Sequence, residues 1–139
     1  DNTRDQHSET RKHIPFAVSY EAWDFWSGPS TAVAMDDNSS AVLFPPGVDY
    51  GAARLIIAAP VLSNGWVVFG ETSKFIAVAR QRFSEIAVDS DGVRVRMVGS
   101  ASEHITITAR NPDGHIKEYA CVCTAEGTAT LKLPTGHCM

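Results

Sequence analysis

The sequence is poor in the features by which many functions announce themselves. Its longest apolar run, residues 55–62, covers eight positions and contains Pro60, far short of the roughly 20 needed to span a bilayer. No membrane span is therefore expected. Basic charge is not in excess: 12 Lys and Arg stand against 16 Asp and Glu, a formal net charge of −4. No basic cluster interleaves with aromatic residues, which argues against a nucleic-acid partner.

Catalytic signatures are missing as well. There is no G-x-S-x-G elbow around any serine, no Gly-rich phosphate loop, and no acid at a recognisable spacing from a histidine. Glu71 and Glu85 are isolated carboxylates in strand-like sequence, which surface exposure explains. The sequence thus predicts a non-enzyme with no cofactor. Cysteine is absent before Cys121, and the three present are Cys121, Cys123 and Cys138. C-x-C with one distant cysteine matches no common zinc spacing, so no metal site is expected. Cys121 and Cys123 share one face of a strand, and a bond between them would distort it. One of the two is expected to pair with Cys138, leaving the other buried or free to bond between molecules.

Residues 1–13 contain no aliphatic or aromatic side chain and six formally charged ones. Such a segment has nothing to bury and reads as a flexible polar tail. The chain starts at Asp1 with no basic and apolar leader, which suits a mature secreted protein, and an extracellular or cell-surface location is expected.

What the sequence does contain is alternation. Ile14, Phe16, Val18, Tyr20 and Ala22 recur every second residue and would line one face of an extended strand. The period returns at Val93, Val95 and Met97, at Ile105 and Ile107, and at Leu131 and Leu133. One dry and one wet face is the pattern of antiparallel sheets. The groups at 89–92, 111–114 and 125–127 read as hairpin turns. Runs at 41–44, 54–59 and 65–69 are apolar on both faces and suit central strands. Residues 72–88 fit either a helix or two strands; their β neighbours favour two strands. One domain over 14–139 is expected: an all-β antiparallel sandwich of about eight to ten short strands with little helix.

Among binding residues, Trp23 and Trp26 are candidates for stacking on a carbohydrate, whereas Trp66, among apolar neighbours, reads as core. Asn38-Ser39-Ser40 is a sequon that would place a glycan on Asn38 in a secretory pathway. The Asp-rich turns at 36–38 and 89–92 lack the downstream ligand of a calcium loop and read as turns.

The many short antiparallel strands resemble the immunoglobulin-like β-sandwich class, although the Cys, Trp, Cys order of antibody domains is absent. The polar tail followed by the strand at 14–22 also resembles the N-terminal extension of pilus subunits, which complete a neighbour's fold by donating a strand. That resemblance implies a self-assembling homo-polymer, a filament or surface layer, with Ile14, Phe16, Val18, Tyr20 and Ala22 as the assembly strand. Residues 14–22 also read, and more simply, as the first strand of their own sheet. The second function the sequence leaves open is a carbohydrate-binding or accessory module.

Overall fold

The computed structural model of the chain describes residues 19–29 and 55–139. Those residues form ten β-strands and no helix. The strands are β1 (Tyr20–Asp24), β2 (Gly28–Pro29), β3 (Ile56–Pro60), β4 (Val67–Gly70) and β5 (Phe83–Val88), then β6 (Val93–Val98), β7 (His104–Arg110), β8 (Ile116–Val122), β9 (Thr128–Leu133) and β10 (His137–Cys138). They build three antiparallel sheets, ordered β2-β1-β3, β10-β9-β6-β5 and β4-β7-β8. No helix among the described residues is long and apolar enough to cross a membrane.

The second and third sheets face each other across one core, an arrangement compatible with a β-sandwich. Alternation explains it: Val93, Val95 and Met97 on β6 and Ala129, Leu131 and Leu133 on β9 meet Ile105, Ile107 and Ala109 on β7 and Tyr119 and Cys121 on β8. All are buried, while Arg94 and Arg96 between them point the other way. Trp66 is also in this core.

β4 differs from its neighbours because all four of its residues are buried. Val68 enters the sandwich core, while Val67 and Phe69 point out of the opposite face and pack with Ala59, Trp23 and Val61. The first sheet is thus held on the outside of the third. Trp23 lies 5.4 Å from Phe69 by ring centroids, and Glu21 on β1 pairs with Arg110 on β7 at 3.5 Å. A single bridge, Val61 to Val67, joins β3 to β4.

Three expectations need correction. Glu71, read as a surface carboxylate, is 4% exposed because Arg82 pairs with it. Residues 72–88 supply only one strand, β5, because the stretch before it is held as a closed loop by its own backbone bonds. The turn at 125–127 is not a hairpin between paired strands: β8 pairs with β7 and β9 with β6, so this turn carries the chain from one sheet to the other. The turns at 89–92 and 111–114 do join paired strands. The run at 41–44, Asn38 and the tail at 1–13 lie outside the described residues.

Cys121 is bonded to Cys138, and Cys123 is a buried free thiol. The bond ties the short strand β10 to β8 on the far sheet across a separation of 17 residues. Closing a loop of that size in the unfolded chain is worth about 3 kcal/mol. Cys138→Ala is expected to lower stability by about that amount, read as a lower urea midpoint with a slope equal or steeper, since the uncrosslinked unfolded chain exposes more surface, and to speed amide exchange first in β10; an unaltered midpoint would contradict this account.

Candidate functional site

The most distinctive surface begins where β4 ends. Gly70 has φ +84°, a conformation that favours glycine, and a Cβ there would collide with the carbonyl oxygen of Ala77. The chain turns out of the sheet and returns on itself. Glu71 N donates to Ala77 O at 2.9 Å and Lys74 N to Glu71 O at 2.9 Å, while Arg82 N and Phe83 N both donate to Ala79 O, at 3.0 and 2.8 Å. Closed in this way, the loop buries Ala77 but leaves Phe75 72% and Ile76 70% exposed.

An ion cluster clamps the base of this loop. Arg82 donates from Nε to Glu71 Oε2 at 3.0 Å, from Nη1 to Glu103 Oε2 and to Val98 O at 3.0 Å each, and from Nη2 to Glu103 Oε1. Glu103 Oε2 also accepts from Ser100 N at 2.8 Å, and Lys74 Nζ lies 2.8 Å from Glu71 Oε1. The hydrogen bond from Arg82, helped by the Ser100 amide, holds the Glu103 carboxyl down at about 2. The same bond from Glu103 pushes the Arg82 guanidinium above its ordinary value. The cluster fixes a loop that has few buried contacts of its own.

Beside the loop lies a groove of about 500 Å³, and every side chain lining it is apolar. One wall is β3 and the opposite one is the loop at residues 75–78 together with Ile86 of β5; Leu62 and Val68 also line it. Among the described residues β3 pairs along its length only with β1, apart from the bridge from Val61 to Val67 at its end, and β5 only with β6, so both present an unpaired edge towards this space. Ile86 and Val88 stand opposite Val95 and Val93, hence on the core side of their sheet, yet they are 37% and 42% exposed. The facing layer has no strand at that place among the described residues. The apolar surface continues past the groove: Phe75 stacks on Phe25 at 5.1 Å, Phe25 meets Trp26 edge-on at 5.3 Å, and Phe25 N donates to Leu55 O at 3.0 Å.

The residues singled out from sequence are distributed unevenly about this surface. Tyr20 and Ala22 stand in β1, paired with β3 of the same chain, while Ile14, Phe16 and Val18 lie outside the described residues. Trp23 is half-buried and packed on Phe69, so its ring is occupied; Trp26 is 62% exposed at the end of the apolar surface. They do not form one platform. Phe75, Ile76 and Val78 were not expected to matter, because the same letters satisfy a strand or a helix. The available signal was an apolar run, 75–79, flanked by Lys74 and by Arg80-Gln81-Arg82, with no alternation to hide it. No group of three or more His, Cys, Asp or Glu side chains suited to a metal ion occurs among the described residues. Compared with protein-family models, curated proteins and solved structures, the chain matches none.

The clamp generates a pH dependence of definite sign. Glu103 has a lowered folded pKa, so its contribution to stability is fully present above the ordinary carboxylate value of 4.5 and is lost as pH falls through about 2. Glu103→Gln is expected to flatten the dependence of the urea midpoint on pH in that window while leaving its slope above pH 5 unchanged. An identical acid limb in both proteins would show that the clamp does not bear on stability.

Proposed function

We propose that the chain is a non-catalytic structural subunit that self-assembles, burying the apolar surface that runs from Trp26 through Phe75 and Ile76 to Ile86 against further copies of itself. The observation that carries this reading is the continuity of that surface. Single exposed apolar residues are ordinary, but a contiguous patch that joins an apolar groove at two unpaired sheet edges marks an interaction site. The disulfide between Cys121 and Cys138 supports an oxidising setting, and hence an extracellular or cell-surface location.

The lining chemistry favours protein over sugar. A carbohydrate site needs polar groups that fix hydroxyls beside the stacking ring, whereas Trp26 borders Phe25, and Asp24 Oδ1 already accepts from Trp26 N and Ser27 N at 2.9 and 3.1 Å. The pilus-like resemblance agrees with self-assembly, and the immunoglobulin-like one concerns layering alone.

Sedimentation velocity tests the reading. The unaltered chain is expected to form concentration-dependent oligomers, and the double variant Phe75→Asp, Ile76→Asp to stay monomeric but folded, with a urea midpoint within the small loss of the Phe25 stacking contact of that of the unaltered chain at dilution. A chain that is monomeric at high micromolar concentration would defeat the proposal, and glycan-array binding lost with Trp26→Ala would replace it by the carbohydrate reading.

A further inference from the structure

Resting on the self-assembly reading, we infer that the groove between β3 and β5 receives residues 14–18 of a second copy as an added strand. Three features of the acceptor point to a strand rather than a flat contact. Beyond the bridge from Val61 to Val67, the edge of β3 away from β1 is unpaired among the described residues, so its backbone groups can extend the sheet. The lining is entirely apolar, so what enters must be apolar on the face that looks inward. The groove is open on its outer side, where Phe75 and Ile76 are exposed, so the other face of the entering segment need not be apolar.

Residues 14–18 meet these demands. Ile14, Phe16 and Val18 would point to one side at alternate positions and Pro15 and Ala17 to the other. Pro15, which has no N–H to donate, falls near the start of the strand, where sheets tolerate it. The run Ala41, Val42, Leu43 and Phe44 is apolar on both faces and would leave one of them in water.

The entry is between molecules because of where Ser19 is held. Ser19 O accepts from Val61 N at 3.0 Å, which fixes the start of β1 on one edge of β3, while the groove lies along the other. A chain crossing from the β1 position to the slot beyond β3 must cover two strand spacings, roughly 9.5 Å. At about 3.3 Å per residue that consumes three residues, 16–18, before any pairing begins. Within one molecule the Phe16 and Val18 side chains would be spent on the crossing. From a neighbour the whole triplet is available. The donor and acceptor surfaces differ, so each joint is heterologous: it repeats into chains or rings, or closes on itself where two copies exchange the strand reciprocally.

A complementation experiment decides it. Phe16→Asp spoils the donor and Ala58→Asp, at an exposed groove-lining position on β3, spoils the acceptor. Each variant alone is expected to be monomeric by sedimentation velocity, with the urea midpoint that the unaltered chain shows when diluted below its association range. Their equimolar mixture is expected to form one-to-one dimers and nothing larger, because one intact donor and one intact groove remain. If Phe16→Asp assembles as well as the unaltered chain, the inference fails while self-assembly stands, and loss of assembly with Val42→Asp instead would give the groove to residues 41–44. A Phe16→Asp protein with a lowered midpoint, or a mixture that stays monomeric, would return the segment to its own molecule and overturn the inference. An unaltered chain that never associates defeats the underlying reading instead.

Discussion

The outer half of this structure depends on burying both faces of one four-residue strand. β4 gives Val68 to the sandwich core and Val67 and Phe69 to the opposite face, and everything that covers the second face belongs to the N-terminal part of the described chain. Phe69 is almost wholly buried and Trp23 leans on it, so the sheet of β1, β2 and β3 is positioned chiefly by this contact and by the ion pair of Glu21 with Arg110. The ion pair is partly exposed and contributes little by itself. The hydrophobic contact dominates, because burying a large apolar side chain is worth roughly 1.5 to 3 kcal/mol.

The groove follows from the same constraint. Had β3 continued to pair with β4 beyond the bridge from Val61 to Val67, the sheets would have merged and the edge would have been covered. Gly70 prevents this by turning the chain outward, and the loop that follows occupies the space beside β4, with Ala77 buried against it. The clamp of Arg82 between Glu71 and Glu103 then matters out of proportion to its energy. Desolvating three charges offsets much of their attraction, but the arrangement specifies one position for a loop whose exposed tip is Phe75 and Ile76. A fixed tip loses less conformational entropy on binding than a mobile one.

Much of the sandwich was legible in the sequence because its strands are amphipathic. Val93, Val95 and Met97 alternate with arginines, and the Asp-Gly turn before them admits a hairpin reading at once. β8 is legible from the hairpin turn before it and the C-x-C spacing rather than from its own period, because only Tyr119 and Cys121 of its seven residues are buried and Lys117 and Glu118 mask the alternation. The sheet to which each strand belongs was not legible either. The turn at 125–127 has hairpin chemistry but leads to the other layer, since a local backbone bend carries no information about which long-range pairing wins. The groove was invisible to pattern reading because it is defined by what two separate edges leave unpaired. Period-two analysis detects faces, and the decisive feature here is an edge.

That distinction bears on how such a surface could hold a partner. Three inserted side chains of the size of Ile14, Phe16 and Val18 supply roughly 5 to 9 kcal/mol when fully buried. Association costs on the order of 4 to 15 kcal/mol in lost translational and rotational freedom. Apolar burial by itself therefore comes close to balance, and a merely sticky patch would give weak, unoriented clustering. Hydrogen bonds along β3 change the outcome because each adds roughly 0.5 to 1.5 kcal/mol and each is made only in one register. In the proposed joint the side chains would bring the strand in, and the backbone edge would convert that attraction into a directed contact. A flat apolar face of the same area would lack the second step, which is why the unpaired edge of β3 matters more than the size of the exposed patch.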